Sequence, residues 1–341
     1  MKQQPQPRPK IYALYWYFAA ERQAIFERRI KGAVPPWSKD PILQEYKFCN
    51  VYRAADRVSQ YLITNIASSK PGGTLDDQLF QIIAFRMFSK IETWETLKLL
   101  LGKPPTIKDL VSGRLVAALN KTKALNGGLY TGAFILCANN AFGHAEKHLN
   151  HVDLFKHMFV KDALASRLRN AKSLKDVYDL LHRYPLMGDF MSYQIAIDLN
   201  YSNQINFSEN DFCQVGPGAM RGINKAFLNL GSYTPNEIVL WMVERQKAEF
   251  KRLNLPFRGL WGRTLHAIDC QGLFCELDKY CRVAAPELQS QRKRIKTRFV
   301  PSRDSMKLFF PPKWGLNEKI PEAKVLGQVN ESQPRLRFID A

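Results

Sequence analysis

A mostly or wholly α-helical fold is what this sequence predicts, and three observations predict it. Apolar residues recur at helical spacing in several separate stretches. Helix-start signals stand in front of three of them. No run alternates convincingly as a strand would, and no repeat of fixed length is present. The chain of 341 residues is 45% hydrophobic and 24% charged, which suits a globular protein with a substantial core.

Taken in order, "YWYFAAERQAIFERRI" and "YKFCNVYRAADRVSQYLITNI" both carry a helical period. "TLDDQLFQIIAFRMF" opens with Thr74 and Asp77 in capping positions. It then spaces Leu75, Leu79, Ile82, Ile83 and Met87 along one helical face. "SLKDVYDLLHRY" repeats the device with Ser173 and Asp176. "TPNEIVLWMVERQKAEF" offers Thr234 as cap, Pro235 in the first turn and Glu237 as the capping-box partner. Between these lies "YPLMGDFMSYQIAIDL", where Pro185 and Gly188 make a short hairpin before a helical period resumes. A helix, a glycine hairpin and a helix can present backbone N–H groups to a DNA phosphate. An ordinary interhelical turn is the alternative, and the single Gly188 is one glycine short of the usual DNA-binding hairpin.

Charge narrows the function. Fifty Lys and Arg against 31 Asp and Glu give a net +19, a field that attracts nucleic acid or a phosphorylated substrate. No apolar run reaches the roughly 20 residues that span a bilayer, and "MKQQPQPRPK" does not resemble a secretion signal, so a soluble, cytoplasmic protein without a membrane partner is expected. Six scattered cysteines fit reduced thiols. His144, His148 and His151 can share a helix face at metal-ligand spacing, or form a solvated polar face; no metal site is assigned. GxxxxGK[ST], GxGxxG after a strand, HExxH and GxSxG are all missing, which argues against an ATP-driven kinase or a nicotinamide enzyme in this sequence. Three segments are expected: a disordered arm over 1–11, a helical body over 12–285, and a basic, proline-punctuated extension over 286–341, partly docked by Phe309, Phe310 and Trp314.

Four long motifs carry a family resemblance: "ERQAIFERRIKGAVPPWSKDPILQEYKFCNVYRAADRVSQYL", "FRMFSKIETWETL", "DFCQVGPGAMRGINKAF" and "LHAIDCQGLFCELDKYCR". Together they resemble the α-glutamyl/putrescinyl thymine pyrophosphorylase family. Its members are also catalogued as the helical domain associated with 5-hydroxymethyluracil DNA kinases, and some as amino acid:DNA transferases. The resemblance implies a DNA-glycosylase-like helix–hairpin–helix architecture in two helical lobes and hypermodification of thymine, chiefly in bacteriophages and so in a host cytoplasm. It implies a transferase that displaces pyrophosphate from modified double-stranded DNA with the amine of an amino acid or polyamine. A 5-hydroxymethyluracil DNA kinase would be the functional partner. A base-excision enzyme of glycosylase type and a non-catalytic DNA-binding partner of the kinase are the alternatives.

Under that chemistry the target base is flipped out and cations meet the leaving pyrophosphate. Arg22, Arg53, Arg57, Arg221 and Lys225 are candidates for this, with Arg53 and Arg57 placed on one helix face. Structural ion pairs are the competing account of each. Gly188, Gly216 and Gly218 would let a nucleotide approach bare backbone. Asp211, then Asp56, would take a proton from the incoming amine, although Asp211 also suits a turn. Asn50 would read a uracil edge. Asp269, Glu276, Asp278 and Lys279 would hold the donor, a magnesium ion, or simply one another.

Overall fold

Side chains three residues apart start several of the helices. Thr74 accepts the N–H of Asp77 while the Asp77 carboxylate accepts that of Thr74, and this box opens α4 (Leu75–Phe88). Thr234 and Glu237 do the same for α13 (Pro235–Arg252), with Pro235 at its first position. Ser173 accepts the N–H of Asp176 at the start of α10 (Leu174–His182). Each cap satisfies a donor that the first turn leaves without an intrahelical partner.

The computed structural model describes residues 2–69, 72–132, 140–288, 293–295, 297–301 and 307–321. Cys137, and Arg292, Lys296 and Arg303 of the basic run, lie outside the described residues. The protein is mostly α-helical, with fourteen α-helices among the described residues. Beside the three already given they are α1 (Pro9–Ile30), α2 (Pro41–Glu45), α3 (Arg57–Leu62), α5 (Ile91–Leu101), α6 (Ile107–Val111) and α7 (Arg114–Asn126). The remainder are α8 (Lys147–Lys156), α9 (Leu164–Arg169), α11 (Asp189–Leu199), α12 (Pro217–Ala226) and α14 (Ala267–Ala284).

One small sheet joins the N-terminal arm to the body. Strand β1 (Gln6–Pro7) pairs antiparallel with β2 (Phe227–Asn229), Arg8 N–H reaches Ala226 O at 2.7 Å, and Lys2 pairs with Glu237 at 2.7 Å. The arm expected to be disordered is thus laid along the end of α12. At the other end of the chain, Phe310 is buried, Phe309 N–H donates to Gln60 Oε1 at 2.8 Å, and Trp314 stands edge-on to Tyr201.

The stretch 46–66 is not the single helix its period suggests. It is an irregular run, a 3-10 turn at Arg53–Ala55, the short α3, and a π turn at Ile63–Ala67. Local polar side chains explain the break. Asp56 Oδ1 accepts the N–H of Asn50 at 2.9 Å, and Asn50 Nδ2 donates to Ala55 O at 2.8 Å. Such bonds offer the backbone an alternative to the helix. The resulting loop sits over α1 and α14, and α12 packs alongside α14. Gly222 makes that packing tight: a Cβ there would lie 2.0 Å from Phe274 O, so no other residue fits.

Candidate functional site

The break at 46–56 brings three distant segments together. Arg22, buried in the middle of α1, gives Nη2–H to Asn50 Oδ1 at 2.9 Å and to Phe48 O at 3.4 Å. Its Nη1 is buried without a hydrogen-bond partner. Asn50 in turn holds Asp56 through its own N–H. From α14, Glu276 accepts the N–H of Cys49 at 3.0 Å and pairs with Lys279 at 2.6 Å. Arg22, Asn50, Asp56, Glu276 and Lys279 therefore form one cluster, although the sequence reading gave them separate roles.

Electrostatics single out Asp56 within it. Burial pushes its carboxyl up to about 6, against the pull of the Asn50 N–H and the Arg22 guanidinium, and Glu276 pushes the same way as burial. A carboxyl that titrates near neutrality can take and release a proton under working conditions. Cys49 is pushed well above the usual thiol range, first by the charge of Glu276.

Beside this cluster α12 and α14 build a second one. Asp278, only 1% exposed in its side chain, meets Arg221 at 3.0 Å, Lys225 at 3.0 Å and Arg282 at 2.7 Å. Three cations on one carboxylate leave positive charge over, and Arg221 keeps 29% of its side chain in solvent. Such a rim suits a phosphate backbone. Arg282 is an addition that the sequence reading misses; its place four residues after Asp278 on α14 is the signal that would find it.

Other candidates lie elsewhere. Arg53 and Arg57 do not share a helix face, because the first belongs to the 3-10 turn and the second opens α3. Arg57 is 76% exposed and stands 3.8 Å from Glu92. Arg53 is turned inward, where it holds Asp198 at 2.7 Å and Gln194 Oε1 at 2.8 Å, and its N–H goes to Asp269 at 3.1 Å. Arg86 on α4 grips the same Asp198 carboxylate. Asp269 also accepts the N–H of His266, and burial followed by the charge of Glu209 pushes it up to about 7. Asp198, Arg86, Glu209 and Arg263 are missed by the motif reading; the lone charge in "FMSYQIAIDL" is the clue to Asp198.

The glycine-rich run has another use than ligand approach. A Cβ on Gly218 would sit 2.5 Å from Cys275 Sγ, and one on Gly216 would sit 2.8 Å from Phe190. The space beside these two glycines is filled by the protein's own side chains. Gly188 caps α11 with nothing within 4 Å of the place a Cβ would take, and Asp211 is exposed on the loop before α12. Neither touches the Asp56 cluster. The histidines do not converge: His144 binds Asp153, His148 binds Asn120 and His151 binds the Tyr130 hydroxyl. Among the described residues no group of three or more His, Cys, Asp or Glu is placed to hold a metal, and no helix is long and apolar enough to cross a membrane.

Residues 9–290 match the family model described as "5-hmdU DNA kinase, helical domain". The chain belongs to that family. The 5-hmdU DNA kinase of Bacillus phage SP10 is 26% identical to it over 304 residues, covering 84% of this chain and 47% of the phage protein. The chain thus spans about half the length of this curated relative. No solved structure matches. Membership in the 5-hmdU DNA kinase helical-domain family corrects the resemblance drawn from the motifs. Both the family and the phage relative are named for a kinase, so the pyrophosphorylase assignment and its amine transfer onto an activated thymine are set aside, and so is base excision. All four motifs fall within the matched residues; the correction concerns the chemistry attached to them.

Proposed function

We propose that the protein acts in the phosphorylation of 5-hydroxymethyluracil in DNA, as the part that binds the strand and presents the base. The observation that carries this is the family match over residues 9–290, and the net +19 supports the DNA-binding half of it. The chain spans about half of its kinase relative, and this reading assigns the triphosphate to the part of the relative that it does not match. The base's hydroxymethyl oxygen attacks the γ-phosphorus of a nucleoside triphosphate, the diphosphate leaves, and the hydroxyl proton needs an acceptor. Asp56 is assigned that role, with Arg22 and Asn50 fixing it. Arg221 lies along the DNA backbone, with Lys225 buried behind it on Asp278. The donor-holding roles considered for Asp269, Glu276, Asp278 and Lys279 lapse with the amine donor; Glu276 and Lys279 border the Asp56 cluster, Asp278 anchors the Arg221 rim and Asp269 holds Arg53.

The finer fold reading belongs here too. We read α10, the turn at 183–188 and α11 as a helix–hairpin–helix element in a two-lobed, glycosylase-like body over 12–285. Its hairpin would offer N–H groups near Gly188 to a phosphate, and Asp211 lies on a loop on the same side. What supports this is the capping position of Gly188, its open surroundings and the contact of Phe212 with Tyr178 on α10.

Transfer of label from γ-labelled ATP to duplex DNA containing 5-hydroxymethyluracil tests the reading, with the protein alone and with an added ATP-binding kinase unit. Label should enter the modified duplex and not a thymine duplex. Asp56→Asn should cut the rate by about 10² or more while DNA binding stays. The rate should also fall as pH drops below about 6, where Asp56 becomes protonated. No label under either condition, together with equal binding of both duplexes, would sink the proposal.

A further inference from the structure

Arg282 does more than close the Asp278 cluster. Its Nη1–H goes to Arg294 O at 3.1 Å, which fastens the basic run after α14 beside the rim formed by Arg221. Three further ties hold that run to the loop before Asn50. Lys47 N–H donates to Thr297 O at 3.0 Å, Phe299 N–H donates to Glu45 O at 2.9 Å, and Tyr46 and Arg298 form an antiparallel bridge. Phe299 also stands edge-on to Trp37, with 6.0 Å between ring centres. The described part of the run, 293–295 and 297–301, is thus laid against the body.

Its backbone is fixed while its charges face outward. Lys47, Lys293, Arg294 and Arg298 are all exposed. Among the described residues Lys47, Lys293 and Arg294 have no ion pair, and Arg298 stands 3.5 Å from Glu45 with 79% of its side chain in solvent. The carboxylates beneath are sealed: Asp278 and Glu276 keep 1% and 7% of their side chains in solvent. Glu45 and Glu287 are exposed and offset part of the charge. A compact anion would be met by one or two of these cations. A row of them, with counter-charges buried behind, suits a polyanion whose charges repeat along its length. Fixing the run beforehand also removes the ordering cost that a loose basic tail meets on binding.

We propose that the strip from Arg221 through Lys293 and Arg294 to Lys47 and Arg298 is the surface on which duplex DNA lays its phosphates. The inference rests on the DNA-binding half of the proposed function and gives the strand its path. That path runs beside the loop that carries Asp56. Cys49, two residues on from Lys47, gives its N–H to Glu276, and Asn50 gives its own to Asp56. DNA on the strip therefore passes next to the proton acceptor.

Lysine acetylation of the full chain, with and without a 5-hydroxymethyluracil duplex and read by mass spectrometry, tests it. The duplex should protect Lys47 and Lys293 several-fold and leave Lys108 on α6 and Lys121 on α7 reactive. Lys293→Ala, Arg294→Ala and Arg298→Ala combined should leave the unfolding midpoint in place, since all three side chains are exposed. The slope of log affinity against log salt should become shallower by about two to three. Removing the same charge at Lys108, Lys121 and Lys172 should barely change it. An equal change from that control would mean that net charge and not this strip binds DNA, and would overturn the proposal. So would a duplex that binds and leaves Lys47 and Lys293 as reactive as before, although the proposed function would survive that result. A chain that binds no duplex even at low salt would lose both.

Discussion

Asp198 and Asp278 are both carboxylates sealed from water and gripped by arginine, yet their surroundings differ in kind. Asp198 sits between Arg53 and Arg86, whose side chains are themselves almost wholly buried, and the remaining donors of Arg53 go to Gln194 and Tyr201. Every charge there is spent inside the protein, joining α4, α11 and the 3-10 turn. Asp278 instead gathers three cations at the edge of α12 and α14, and one of them, Arg221, reaches solvent. The first arrangement is a rivet. The second presents unspent positive charge. An arginine beside a buried carboxylate is therefore informative only once its remaining donors are accounted for.

Removing the rivet should have the largest effect. Asp198→Asn leaves two guanidiniums buried against a neutral amide, and breaking a buried pair in this way costs about 3–5 kcal/mol. Denaturant unfolding should show that loss, and a smaller one from Asp278→Asn, where Arg221 can turn to water. Equal losses at the two sites would erase the distinction.

How much of this was legible in the sequence depends on which atoms decide. The caps at Thr74, Ser173 and Thr234 were readable because both partners lie within four residues. The charge of Asp198 in an apolar helix marked burial but not its partners, which are 112 and 145 residues away. Gly216 and Gly218 announce a close approach, and only the fold reveals that Phe190 and Cys275 make it. The helical period of 46–66 was real in its apolar residues, but Asn50 and Asp56 redirect the backbone. Arg22, Asn50 and Asp56 stand in one family motif but carry separate expected roles; that they touch is visible only in the fold. The chemistry is not legible in those motifs, since one helical body can serve more than one reaction.

The interior of the rivet region responds to pH. Asp269, raised to about 7 by burial and by Glu209, keeps its proton in the folded chain where the unfolded chain has lost it. The folded state therefore binds more protons between about pH 4 and 7, and stability falls as pH rises through that window before levelling off. Asp269→Asn removes this titration. It retains one oxygen to accept from Arg53 or His266. Relative to wild type, the variant should gain about 4 kcal/mol between pH 4 and 8, on the scale set by the shift. Paired denaturant titrations at several pH values isolate the difference, since Asp56, His151 and His266 titrate in both proteins. A difference that stays flat with pH would mean Asp269 is ionised in the fold.

The rim should answer to salt and not to denaturant. Arg221→Ala removes one exposed cation and leaves Lys225 and Arg282 on Asp278, so the unfolding midpoint should barely move. If the spare charge of this cluster lies on a DNA backbone, affinity should drop several-fold at moderate salt. The slope of log affinity against log salt should become shallower by about one. The change should be the same for modified and unmodified duplexes, because a phosphate contact carries no base information. An unchanged slope would place the DNA on another face of the molecule. It would leave Arg221 as a partner of Asp278 alone, and the contrast between rivet and rim would then be one of exposure without function.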